Sequence, residues 1–167
     1  MITPYSDEAP DTAALREVFS GFPCGVAALA AVVDGDPTVL VASSFTVGVS
    51  QTPPLVMFAV QRSSSTWPVL ASAPTIGVSV LGEAHAEVTR QLASRNKASR
   101  FDGVDTHRTA SGAVFLDEAP VLLECEVEHC YPAGDHEIVV LRVLGLHSDF
   151  QHSPLVWHRS GFASLAA

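Results

Sequence analysis

Positive charge is scarce in this chain: nine lysines and arginines stand against eighteen aspartates and glutamates, a formal net charge of −9 with a pI near 5.0. The summed field repels polyanions, which argues against nucleic acid and anionic membrane surfaces as partners. Long hydrophobic runs are also missing. No stretch approaches the roughly 20 apolar residues that span a bilayer, and the start "MITPYSDEAP" has neither the basic nor the apolar region of a signal peptide. These absences predict a cytoplasmic protein with no membrane association.

Cysteine is sparse and odd in number, with Cys24, Cys125 and Cys130 only. An odd count without an export signal argues against a disulfide framework. "CEVEHC" places Cys125 and His129 four apart on a strand pattern, hence on one face, with Cys130 on the other. No second ligand pair of similar spacing follows, so no metal site is expected and the thiols read as buried or half-buried. A GxGxxG after a strand is likewise absent.

What is present is apolar material. Hydrophobic residues make up 47% and mean hydropathy is +0.28, high for one soluble domain of 167 residues, and some of that surface is expected to be buried against a second copy. "DTAALREVFSGF" predicts a leading helix over 11–22, with Asp11 as cap and Leu15, Val18, Phe19 and Phe22 at helical spacing. Two valine-rich runs meet at Asp34, Gly35, Asp36 and Pro37, strong hairpin chemistry. A polar insert, Ser43 to Thr52, separates them from the buried strand "LVMFAV". A short helix after "RSSSTWP", a strand over 75–82, a helix over 83–95 and a loop from Asn96 to Asp117 follow. Two long antiparallel strands around "PAGDHE" and a final edge strand at "PLVWHRSGF" complete the pattern. Strands dominate, and their spacing predicts a mainly β fold with short helices, a closed or split β-barrel spanning 1–167 as one domain with its core at about 15–163.

In so acidic a chain the few cations carry information. Four of the nine fall in "RQLASRNKASR", with no acid among them; this reads either as an anion site or as a solvated helix end favoured by the helix dipole. "RSSST" sets Ser63, Ser64, Ser65 and Thr66 where a strand feeds a helix, which suits phosphate or ordinary N-capping. "SSFTVGVS" offers hydroxyls and backbone amides of the kind that a heteroaromatic edge requires.

Taken in order, "VASSFTVGVSQTPPLVMFAVQRSSSTWPVL", "IGVSVLGEAHAEVTRQLASR", "SRFDGV", "LECEVEHCYPAGDHEIVVLRV" and "PLVWHRSGF" resemble the flavin reductase-like family with the FMN-binding split barrel. The likeness runs from about Phe22 to Phe162. It implies an NAD(P)H:flavin oxidoreductase, the reductase component of a two-component flavin-dependent monooxygenase, transferring hydride from NADH or possibly NADPH to FMN or FAD. It also implies a homodimer. By resemblance, Ser43, Ser44, Phe45, Thr46 and Ser50 line the flavin ring and ribityl chain, with Val49 along the ring. Ser63, Ser65 and Thr66 form a phosphate-side loop, and Arg95, Lys97 and Arg100 approach the phosphates. His136, in the "GDH" turn, positions the nicotinamide, and Phe162 lies near the flavin in the tail. Ser79 stands where the family often has asparagine, and Ser99 opens the triplet that the family writes as DRF. Read without the family, His136 is equally a turn histidine capping a strand end. The other histidines read as structural or solvated, among them His85 on a helix surface and His129 within a strand. A flavin-binding electron carrier on the same barrel, and an oxidase of a phosphorylated vitamin amine, are the alternative functions.

Overall fold

The computed structural model describes residues 11–165 together with Ile2; the remaining terminal residues of the expected 1–167 span lie outside the described residues. Helix α1 (Thr12–Ser20) begins where the Asp11 carboxylate accepts from the amides of Ala13 and Ala14 at 3.1 and 2.9 Å, satisfying two of the free N–H groups of the first turn. Strand β1 (Cys24–Gly25) precedes β2 (Ala27–Val33) and β3 (Asp36–Ala42). The β2–β3 turn places Asp34 and Gly35 at φ 52° and 92°, the left-handed pair that a two-residue hairpin requires. Then come β4 (Thr46–Gln51), β5 (Pro54–Gln61), α2 (Trp67–Leu70) and β6 (Ile76–Val80). A 3-10 turn, Glu83–His85, leads into α3 (Ala86–Leu92), and a second one, Lys97–Ser99, follows. Strands β7 (Thr106–Arg108), β8 (Val114–Leu116), β9 (Val121–Ala133), β10 (His136–Ser148), β11 (Val156–His158) and β12 (Gly161–Ala163) complete the described chain.

Seven strands form one antiparallel sheet in the order β3-β2-β6-β9-β10-β5-β4. Its margins, β3 and β4, do not hydrogen-bond to each other, so the sheet curls without closing. This is the mainly β, split-barrel architecture that the strand spacing and the resemblance predict. A small sheet β1-β11-β12 and the hairpin β7-β8 pack outside it. Strand β2, nearly all alanine, leucine and valine, lies between two cores. Ala27, Leu29 and Ala31 face Phe58, Ile76, Val78 and Leu141, while Ala28 and Ala30 face Val39, Leu92, Val114 and Leu116. Burial on both faces explains why this strand is apolar throughout and does not alternate with polar residues.

Several expectations are corrected. The helix expected over 83–95 ends at Leu92, leaving Ala93 exposed. His85 is buried and not on a helix surface: its Nδ1 accepts from the Gly82 amide at 3.1 Å, and its Nε2 lies 2.9 Å from the Asp117 carbonyl. The 96–117 segment is not simply loop, because β8 (Val114–Leu116) is wholly buried within it. The polar insert between Ser43 and Thr52 carries strand β4. In β9, Val127 pairs with Leu141 and His129 with Val140, leaving Glu128 unpaired. That bulge shifts the alternation, so Cys125 points into the core while His129 falls on the opposite face. The two residues thus do not share the face that their spacing predicts.

Candidate functional site

Where β3 and β5 diverge, a cleft of about 540 Å³ opens. One wall is the end of β3 and the following Ser43 and Ser44; another is the end of β5, Ala59 to Gln61. Ser64 and Thr66, ahead of α2, and Leu92 and Ala93, at the end of α3, form the rest, with Arg100 and His136 completing the lining. Ser43, Ser44, Thr66, Arg100 and His136 therefore converge from four separate segments, although nearly a hundred residues separate the first from the last.

Ser44 sits at the seam. Its Oγ donates to the Ala59 carbonyl at 2.9 Å and accepts from the Ala59 amide at 3.0 Å. Thr46 pairs with Met57, so Ser44 occupies the next rung of the β4–β5 ladder with a side chain in place of a main chain. Ser43 is exposed in the cleft wall. Thr46, Val49 and Ser50 lie on β4, outside the lining. Between Thr46 and Ser50 the β4–β5 register shifts, and Val47, Gly48 and Val49 bulge outward with Gly48 at φ 74°. Phe45 turns inward and packs against the core.

At the α2 entrance, Ser64 Oγ accepts from the amides of Thr66 and Trp67 at 3.3 and 3.1 Å. Trp67 then anchors the helix, its ring edge-on to Phe58 at 5.2 Å. Ser64, which the family pattern passes over in favour of Ser63 and Ser65, is the serine of the run that lines the cleft; it stands three residues before the first helical residue, an offset that only the placement of the α2 start reveals. Ser63 and Ser65 lie outside the lining. Lys97 Nζ donates to the Ser65 carbonyl at 2.9 Å, tying the second 3-10 turn to the serine segment. Arg95 is exposed.

The Arg100 guanidinium is half-buried. Its Nε and Nη2 donate to the Ser94 carbonyl at 2.8 and 2.6 Å, and its Nη1 donates to the Val39 carbonyl at 2.7 Å and to Thr66 Oγ1 at 3.2 Å. Burial lowers its pKa from the usual value. Among the described residues no carboxylate lines the cleft, so Arg100 leaves this lining net positive in an acidic protein. The contrast is a second depression, of about 450 Å³, which has Asp117, Glu118, Glu124 and Asp149 in its lining.

His136 opens β10 opposite Gln61 of β5. Its Nδ1 lies 2.7 Å from Asp135 Oδ1. A carboxylate can only accept, so the neutral ring carries its proton on Nδ1 and leaves Nε2 as the free acceptor. The Asp135 carboxyl is held below the ordinary range, first by this hydrogen bond and then, when the ring is protonated, by the charge of His136. Phe162 lies away from the lining, on β12, edge-on to Trp157 at 5.1 Å.

Residues 19–166 match the family model described as flavin reductase like domain. A Streptomyces coelicolor relative called actinorhodin polyketide dimerase is 38% identical over 160 residues, covering 95% of this chain and 89% of its own. Among solved structures, the Streptomyces globisporus NADH:FAD oxidoreductase in complex with NAD and FAD fragments superposes with a TM-score of 0.88 at 30% identity, covering 99% of this chain and 98% of the other. The flavin reductase component of a bacterial two-component tryptophan halogenase gives a TM-score of 0.85 at 31% identity, covering 94% and 99%. A split barrel with its cleft at the β3–β5 seam and a match over nearly the whole chain lead to one conclusion: this protein belongs to the flavin reductase like domain family.

Proposed function

We propose that the chain is an NADH:flavin oxidoreductase that takes FMN or FAD as a diffusible substrate and supplies it, reduced, to a separate flavin-dependent monooxygenase. The observation that carries this reading is the cleft without a carboxylate among the described residues, which sets hydroxyls and one half-buried cation near a histidine with a ring acceptor. When both nucleotides are bound, the nicotinamide supplies the hydride and the flavin accepts it. The chain's own residues bind and orient. The Ser43 and Thr66 hydroxyls offer donors to ribityl or phosphate oxygens, and the aliphatic wall at Leu92 and Ala93 excludes water beside them. His136 Nε2 accepts an N–H from the nicotinamide carboxamide and fixes the ring's approach. No proton transfer is asked of it.

NADH is favoured over NADPH because the cleft has a single arginine and most of its N–H groups are already engaged, so a 2′-phosphate finds no second cation to pair with. A cytoplasmic homodimer completes the reading. Support for the second copy comes from α1, none of whose residues is buried, with Val18 and Phe19 73% and 66% exposed and Phe22 beyond it 73% exposed. An apolar stripe of that kind needs a cover.

The test is steady-state oxidation of NADH, followed by its near-ultraviolet absorbance with FMN or FAD added at rising concentration, for the native chain and for His136→Ala. Saturation with flavin, and a rise in the KM for NADH confined to the variant, are the expected results. Firm flavin binding without any oxidation of NADH or NADPH would replace the reductase by an electron carrier.

A further inference from the structure

We infer that Arg100 governs flavin affinity by holding three walls of the cleft together, and that it does so without contacting the flavin phosphate; the inference rests on the flavin reading proposed above. A guanidinium has five N–H donors. Four are committed within the protein: two to the Ser94 carbonyl, one to the Val39 carbonyl and one to Thr66 Oγ1. These acceptors belong to the segment after α3, to β3 and to the entrance of α2, the elements that face one another across the cleft. Arg100 itself caps the 3-10 turn Lys97–Ser99, so the tie also seats the turn from which Lys97 reaches Ser65.

Two details distinguish a tie from a ligand. Among the described residues no carboxylate pairs with Arg100; three neutral oxygens hold its charge, and they require the planar fork to be in one place. Thr66 Oγ1 accepts from Arg100, so its own proton is directed away from the guanidinium and is available to a ligand. Arg100 thereby orients a hydroxyl that lines the cleft. A lysine, with a point charge and no fork, cannot span these three acceptors.

Riboflavin and FMN differ only by the phosphate, which makes them the discriminating probes. KM values for both are measured in the native chain, Arg100→Lys and Arg100→Gln, with thermal melts confirming that each variant is folded well above the assay temperature. The expected result is a rise of about tenfold or more in both KM values, by the same factor, in both variants, the scale of losing charge-assisted hydrogen bonds. Lysine does not rescue. A rise for FMN with riboflavin unchanged, restored by lysine, would establish direct phosphate contact and overturn the inference, as would no change in either substrate. If Arg100→Gln does not fold, Arg100→Lys carries the same comparison alone. A native chain that reduces neither flavin would remove the reductase reading itself, an outcome that no variant of Arg100 can imitate.

Discussion

The hydroxyl of Ser44 closes a rung of β-sheet ladder with Ala59, donating to its carbonyl and accepting from its amide. Ser44→Ala leaves both groups of Ala59 to solvent at the mouth of the cleft. The expected cost is about 1 kcal/mol, the net worth of such bonds where water can replace them, read as a lower urea midpoint. The KM for flavin should rise in the same variant, because the seam is also a cleft wall.

Of the glycines, Gly77 leaves the least room for a side chain. A Cβ placed there would lie 2.2 Å from the Val114 carbonyl oxygen, and β6 and β8 are both fixed by their own partners. Gly77→Ala should destabilise the fold by about 3 kcal/mol or more, the upper range for overpacking against main chain. Denaturant melts of this variant beside the native chain measure it.

Asp135 is exposed, and its carboxyl is held below the ordinary carboxylate range by His136. The folded value is the lower one, so the interaction is fully present above the unfolded pKa of aspartate and is lost as pH falls through the depressed value. At neutral pH it is in place. Asp135→Asn should raise the KM for NADH roughly two- to fivefold, the scale of an exposed pair, with the flavin KM unchanged.

Burial and the neighbouring charge of Glu124 push the Cys125 thiol up to about 12. At pH 8 its thiolate is about one part in ten thousand, and the thiolate is the reactive form. Mass spectrometry after iodoacetamide treatment of the folded chain should find Cys125 unmodified and the exposed Cys130 alkylated.

The proposed dimer predicts that Phe19→Asp, on the uncovered stripe of α1, shifts sedimentation from two copies to one. The melting temperature should fall with it, since association of folded copies is itself stabilising.

Short-range chemistry made much of this fold legible. Asp34-Gly35 and Gly134-Asp135 each name a turn, and the long strands on either side follow. What escaped depends on distant cover. Val114–Leu116 reads as part of a polar loop because three apolar residues carry no periodicity, and their cover comes from distant residues such as Ala28, Ala30, Leu81 and Leu92, with Gly77 permitting the close approach at Val114. The unpaired Glu128 inverts the faces of the residues beyond it, which a strict period of two cannot foresee. In the site, Ser43, Ser44, Thr66, Arg100 and His136 lie at strand ends and turns that the topology gathers. Within the serine run, sequence could not single out Ser64, because one residue's offset from Trp67 decides which hydroxyl turns back over the helix amides. Nor could it show that the donors of Arg100 were already spent.

The outward bulge of β4 also bears on how this protein survives at high concentration. A sheet that never closes has two free margins, and a straight margin invites another chain to add itself as the next strand. At β4 the run Val47, Gly48, Val49 leaves the ladder, interrupting the row of amides and carbonyls that a stray strand would need. At β3 the margin carries Pro37, which has no amide to offer. The split in the sheet is thus flanked by margins that resist nucleating fibrous aggregates, and the barrel can stay open without becoming adhesive.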